Sequence, residues 1–150
     1  ETELRYILLC ISCEHKGFKM SAEKISEKPL LLAEVKEFLE KRKAGKKKFD
    51  RAIHERLYDY CKRFVKLPRD KAMLLLQKLL EIKIQVGKRE LQIPMEVACD
   101  IVNVLPRSRE ELEPFLAFLE HKQKILLLPK LKEEIASKIL GVIREVLGSQ

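Results

Sequence analysis

Apolar residues recur along most of the chain at the spacing of one helical face. One such stretch begins near Pro29 or Leu30, and a second follows Gly45 and ends near Lys66. This period predicts helices from Pro29 onward. The predicted inward faces carry Leu31, Val35, Phe38 and Leu39 in the first helix, and Ile53, Leu57, Tyr60, Cys61 and Phe64 in the second.

The third predicted helix, which Pro68 opens, is apolar over more than one face. Its consecutive residues Leu74, Leu75 and Leu76 cannot all lie on one stripe. A helix that is apolar on most sides is either central to a bundle or covered by a partner. In the same way, Leu30 and Leu32 exceed what the first helix needs for one buried face. Both leucine clusters are therefore candidate partner contacts.

Prolines mark the ends of the next helices. Pro94 opens a fourth helix and Pro106 ends it. Ser108 and Glu111 have the spacing of a capping box, which predicts the start of a fifth helix. Pro114 lies inside that helix, so we expect it to kink the helix or limit its first turn.

The remaining segments complete a predicted all-α bundle of about six helices. The segment from Gln85 to Gln92 is predicted to be a loop. The short apolar run from Ile125 to Leu128 precedes Pro129, and a last helix follows and ends at Gly148.

Residues 1–19 differ from the rest, because they hold a strand-like run, Tyr6 to Ile11, and no helical period. We interpret them as an extension, either disordered or foreign to the native chain. The alternative is a genuine edge strand. Residues 20–150 are predicted to form the functional helical domain.

Charge points to an acidic partner. The 150 residues carry a net charge of +8 and have a pI near 9.3, which favours binding to nucleic acid or to an acidic protein surface. The densest basic cluster lies between the first two helices, and its alternative interpretation is a solvated turn. The candidate nucleic-acid-binding residues are Lys43, Lys46, Lys47, Lys48 and Arg51.

Cysteine and histidine do not predict a metal or redox site. Four cysteines are too few for a disulfide scaffold, so we expect a reducing, cytoplasmic environment. Cys10 and Cys13 have the spacing of a zinc or redox pair with His15 nearby, but a second pair is missing. Cys61 and Cys99 fall on apolar faces and are predicted core residues. We expect His15, His54 and His121 to lie on solvated surfaces.

Catalytic motifs are also missing from the sequence. It contains no glycine-rich phosphate loop, no nucleophile elbow and no dinucleotide fingerprint. No apolar run approaches the roughly 18 residues that a membrane span needs. We therefore expect a non-catalytic binding protein without a cofactor and without a membrane partner.

Three stretches carry a resemblance to a known family. They are residues 28–39, residues 58–67 followed by a leucine-rich helix, and residues 94–112, where a helix ends in Leu105-Pro106 before a capped helix. In this order and spacing, residues 24–147 resemble the archaeal RNA polymerase stalk protein that is related to the fourth subunit of eukaryotic RNA polymerase II. Pro68 and Pro114 depart from the family pattern, and residues 1–19 have no counterpart in it.

The resemblance implies a stalk protein that forms a heterodimer with the other protein of the polymerase stalk, which we call the companion stalk protein. The pair would support promoter opening, nascent RNA contact, and elongation and termination. The resemblance also implies that residues 20–85 bind the companion and that residues 90–148 are similar to the HRDC domains of helicases.

The expected heterodimer contact begins before the first helix. The segment from Lys24 to Lys28 is expected to add as a short strand to the companion's sheet. The alternative is a free-standing HRDC-like module that binds nucleic acid. The predicted partner-binding residues are Ile25, Leu30, Leu31, Leu32, Val35, Leu74 and Leu75.

Overall fold

The structure, a computed structural model, describes residues 28–45 and 51–148, without the side chains of residues 51 and 52. Within these ranges it contains six helices and one β-hairpin, which confirms the predicted all-α bundle of about six helices. The elements are α1 (Leu32–Ala44), α2 (Arg51–Phe64), α3 (Arg69–Leu80), β1 (Lys83–Val86), β2 (Arg89–Gln92), α4 (Met95–Val104), α5 (Arg109–Gln123) and α6 (Pro129–Gly148). Residues 1–19, and all of the predicted strand except Lys28, lie outside the described residues.

Most apolar side chains belong to one large core. Helix α3 packs against α4 and α6, and α5 packs against the same two helices. We call α3 to α6 with the β-hairpin the main bundle. Its fully buried large side chains are Leu75, Leu79, Ile84, Ile93, Ile101, Leu112, Leu116, Leu119, Ile135 and Ile139.

Helices α1 and α2 form a separate antiparallel pair, which we call the helical hairpin. Their side chains meet in antiparallel order, since Glu40 contacts Tyr58 and Arg42 contacts His54. Only the start of α1 enters the main core, through Leu31 and Ala33. The helical hairpin has its own small core of three buried residues, Val35, Leu39 and Cys61.

The segment from Gln85 to Gln92, predicted to be a loop, is instead part of the β-hairpin. Ile84 pairs with Leu91, and Val86 pairs with Arg89 across a two-residue turn. Gly87 opens the turn with a φ of +62°, a conformation that glycine adopts without steric cost. The loop prediction was wrong because alternating apolar residues flank this turn, which is the strand signal.

The predicted helix ends are close to the observed ones. Pro94 precedes α4, and Leu105 ends it in a left-handed conformation (φ 54°) before Pro106. At the start of α5, the Ser108 hydroxyl accepts the Glu111 N–H at 3.4 Å. The Glu111 carboxylate accepts the N–H of Arg107 at 2.7 Å, one residue before the position that a capping box uses. Helix α5 continues through Pro114.

Candidate partner-binding surface

Two aromatic side chains stand out from α2. Tyr60 and Phe64 are 50% and 49% exposed, and their ring centroids lie 4.6 Å apart. The sequence predicted both on the inward face of α2, and this was wrong. Helix α2 packs along its length against α1 alone, so only the stripe with Leu57 and Cys61 is covered. The rest of its apolar face remains on the surface.

A shallow depression joins these rings to the start of α1. Leu32 and Phe64 line it together with Lys66 and Val102. Val104, at the end of α4, is also exposed, and the Lys66 ammonium donates a hydrogen bond to its carbonyl oxygen. We call Leu32, Tyr60, Phe64 and Val104 the hairpin surface. It combines large apolar side chains from three helices.

Asn103 holds the two parts of this surface together. Its side-chain oxygen accepts the N–H of Leu32 at 2.9 Å, so an α4 side chain satisfies one of the unpaired amides at the start of α1. The Glu34 carboxylate accepts the N–H of Leu31 at 3.1 Å. These bonds fix the start of α1 against the main bundle, and with it the position of Leu32.

Ion pairs stabilise the side of α1 away from the rings. Glu37 lies 3.0 Å from the Arg69 side chain of α3 and also pairs with Lys41. The hydrogen bond from Lys41, with the charge of Arg69, lowers the pKa of Glu37. By contrast, exposed Lys62 and Arg63 follow the aromatic residues along α2. The surroundings of the two rings are therefore mainly basic.

The predicted partner-binding residues fall into three groups. Leu31, Val35 and Leu75 are buried in the chain's own cores, where they cannot form an exposed contact without rearrangement. Leu30 and Leu32 are half-buried, and Leu74 is exposed on α3. Ile25 lies outside the described residues. Of the predicted set, only Leu30, Leu32 and Leu74 therefore offer surface in the described part of the chain.

The predicted nucleic-acid-binding residues are only partly described. Lys43 is exposed near the end of α1, with its ammonium 5.3 Å from the centroid of the Tyr58 ring. Arg51 begins α2, but its side chain is not described. Lys46, Lys47 and Lys48 lie outside the described residues. The basic cluster therefore stays a prediction.

His54 is not on a solvated surface as predicted, since only 4% of it is exposed. It packs between α1 and α2, and its Nε2 lies 3.5 Å from the Arg42 guanidinium. A single polar residue on an apolar face was misread because burial depends on the neighbouring helix. His121 is exposed on α5, as predicted.

The two described cysteines are buried core residues, as predicted. Burial raises the pKa of the Cys99 thiol to about 11, helped by the negative charges of Glu34 and Asp100. Burial also raises the pKa of Cys61. Both are therefore thiols at neutral pH, and a thiol is a poor nucleophile.

Neither a metal site nor a membrane span occurs in residues 28–45 and 51–148. No group of three or more His, Cys, Asp or Glu side chains could hold a metal there, and no helix is long and apolar enough to cross a membrane. Cys10, Cys13 and His15 lie outside these ranges.

No protein-family model, no curated protein and no solved structure matches this chain. The chemistry of the hairpin surface is therefore the guide to function. Exposed aromatic and aliphatic side chains beside basic residues can bury apolar area against another molecule and contact its acidic groups.

Proposed function

We propose that this chain is a non-catalytic stalk protein of a DNA-directed RNA polymerase, which forms a heterodimer with the companion stalk protein. The motif order at residues 28–39, 58–67 and 94–112 supports this family. The observation that carries the partner-binding part is the half-exposed pair Tyr60 and Phe64 beside Leu32. In this proposal the large polymerase subunits perform the chemistry.

The hairpin surface offers enough apolar area for a stable contact. Aromatic side chains dominate many protein interfaces, and truncating one often weakens binding by about 2 kcal/mol or more. Tyr60 and Phe64 need little ordering, because each ring already contacts the other. Segment 24–28 precedes Leu30 and Leu32 in the chain, so a strand added to the companion's sheet would continue directly into this surface.

RNA contact is the second element of the proposal. The cluster of Lys43, Lys46, Lys47, Lys48 and Arg51 would contact phosphates without sequence preference. Changing Lys46, Lys47 and Lys48 together to Ser should weaken RNA binding by the assembled heterodimer and lower its salt dependence. Unchanged affinity and salt dependence would make this cluster a solvated turn.

Co-expression tests the heterodimer. The chain is produced with the companion stalk protein encoded in the same genome, and the pair is isolated through a tag on the companion. Tyr60→Ser with Phe64→Ser should weaken the complex about 30-fold or more, as expected from the loss of two interface aromatics. The matched control is Leu126→Ser with Leu128→Ser, which removes two exposed apolar side chains elsewhere.

The two outcomes separate clearly. A complex that tolerates the control pair and loses the aromatic pair supports the hairpin surface as the interface. A complex that forms equally well with both variants contradicts the interface. A failure of the wild-type chain to bind the companion stalk protein contradicts the family assignment.

A free-standing nucleic-acid-binding module is the second candidate. Tyr60 and Phe64 are exposed and have Lys62 and Arg63 as neighbours on α2, an arrangement that can stack bases of a single strand. This function predicts tight binding of single-stranded RNA by the isolated chain, with loss of binding on Tyr60→Ser and Phe64→Ser. The stalk function predicts loss of the heterodimer with the same variant.

A further inference from the structure

The connection between α5 and α6 presents two leucines to solvent. Leu126 and Leu128 are 83% and 68% exposed, the highest values among the large apolar residues of the described chain. They alternate with half-buried Ile125 and buried Leu127. Adjacent exposed leucines of this kind are unusual on a protein surface unless something binds them.

This connection is fixed in place and does not hang loosely. The Glu120 carboxylate accepts the N–H of Leu127 at 2.7 Å and pairs with the Lys132 ammonium at 3.0 Å. The Glu120 carbonyl accepts the N–H of Ile125 at 3.1 Å. Leu127 adds a buried apolar anchor in the main core. The chain therefore holds Leu126 and Leu128 outward by hydrogen bonds and by packing.

The surroundings of the two leucines are basic. Residues 121–132 contain four lysines and one histidine, and no Asp or Glu. Lys124 and Lys130 are exposed on either side of the leucines. Both oxygens of Glu120 are engaged, Glu133 pairs with Arg109, and Glu134 pairs with Lys138. A partner that meets this surface therefore faces excess positive charge.

This place is well separated from the hairpin surface. Lys122 pairs with Glu96 in the first turn of α4, and the Gln123 amide donates to the carbonyl of Gln92. Val104 of the hairpin surface lies at the other end of α4. Glu96 and Val104 are roughly 12 Å apart along the helix axis. A partner could occupy either surface without covering the other.

We propose that Leu126 and Leu128, with Lys124 and Lys130, form a second docking surface that binds an acidic protein segment carrying large apolar side chains. Charge complementarity favours this occupant, because the leucines need apolar contact and the lysines need acidic groups. A second copy of the chain would bring another net charge of +8. An open depression beside Leu126, lined by His121, Lys124 and Ile125, can receive a protruding side chain.

The test uses the full chain and a phage-displayed library of short random peptides. Binders are selected on the wild-type chain and counter-selected on Leu126→Ser with Leu128→Ser. Enriched peptides are synthesised with a fluorescent label, and their affinity is measured by anisotropy at low and high salt. The matched control is Met73→Ser with Leu147→Ser, which removes two exposed apolar side chains from other helices.

We expect the enriched peptides to combine acidic residues with large apolar ones. They should bind the Leu126/Leu128 variant at least about tenfold more weakly, bind the control variant like wild type, and weaken with salt. Enrichment of peptides without acidic residues would overturn the proposal, as would equal binding to all three proteins or a failure to enrich any sequence. So would binding to vesicles of phosphatidylserine and phosphatidylcholine that the Leu126/Leu128 variant loses, since the occupant would then be a membrane.

Discussion

The helical hairpin and the main bundle differ in how many neighbours cover their apolar faces. In the main bundle, α4 is covered by α3 on one side and α5 on another, and its inward residues are almost fully buried. In the helical hairpin, α2 has one helical neighbour along its length, and Tyr60 and Phe64 stay half exposed. The same kind of amphipathic helix thus forms a core in one place and an open apolar surface in the other.

The difference has a thermodynamic consequence. Hydrophobic stabilisation scales with the apolar area removed from water, and the helical hairpin buries only a small cluster of its own. Segments with few buried apolar contacts open at a lower free energy than the global unfolding of the protein. A partner that covers the hairpin surface would supply the missing burial.

Truncating one leucine in each core should give the largest contrast. Leu79→Ala removes a fully buried side chain of the main bundle and should lower the free energy of unfolding by about 2–5 kcal/mol. Leu39→Ala, in the helical hairpin, should shift the main urea transition much less and instead increase amide exchange in α1 and α2. Circular dichroism and hydrogen exchange measure the two effects. Equal shifts of one urea transition would show that both parts unfold as a single unit.

The two buried cysteines report the same contrast without any mutation. Cys61 lies in the hairpin core and Cys99 in the main core. Both must become accessible before they react, so iodoacetamide should alkylate Cys61 at least about tenfold faster. Mass spectrometry assigns the rates to each site, and the rates in strong urea provide the reference. Faster labelling of Cys99 would reverse the assignment of the weaker region.

Asn103→Ala should loosen the connection between the two parts. It removes the acceptor of the Leu32 N–H, which should cost about 1 kcal/mol and increase exchange at the start of α1. Asn103→Asp keeps a side-chain oxygen and is the control. Should Asn103→Ala leave exchange in α1 unchanged, the packing of Leu31 and Ala33 alone would hold α1 to the bundle.

Two glycines of the main bundle should respond to the same substitution with opposite sign. Gly87→Ala puts a side chain at positive φ and should cost about 1 kcal/mol. Gly141→Ala, in the exposed middle of α6 with open space around it, should add about 0.5–1 kcal/mol. Both should shift the main urea transition and leave the alkylation rate of Cys61 nearly unchanged. A change of that rate would link the two regions more tightly than the structure indicates.

Local signals in the sequence predicted the helices well. Ser108 and Glu111 predicted the start of α5 to the residue, and Pro94 and Pro106 bracketed α4, because caps and prolines act within a few residues. The β-hairpin was also readable, since Ile84 and Val86 alternate with polar residues before Gly87.

The candidate surfaces could not be predicted in the same way. A helical period gives the direction of an apolar face but not the number of neighbours that cover it. Tyr60 and Phe64 therefore looked like core residues, and His54 looked like a surface residue. The exposure of Leu126 and Leu128 depends on the distant contact between Glu120 and Lys132, which no local pattern shows.

Hydrogen exchange with and without the companion stalk protein tests the central claim most directly. We predict that amides of α1 and α2 exchange rapidly in the isolated chain and become strongly protected in the heterodimer. Amides of α3 and α6 should change little. If α1 and α2 are already as protected as the main bundle in the isolated chain, or if binding protects only the main bundle, then the helical hairpin is not the partner-binding region.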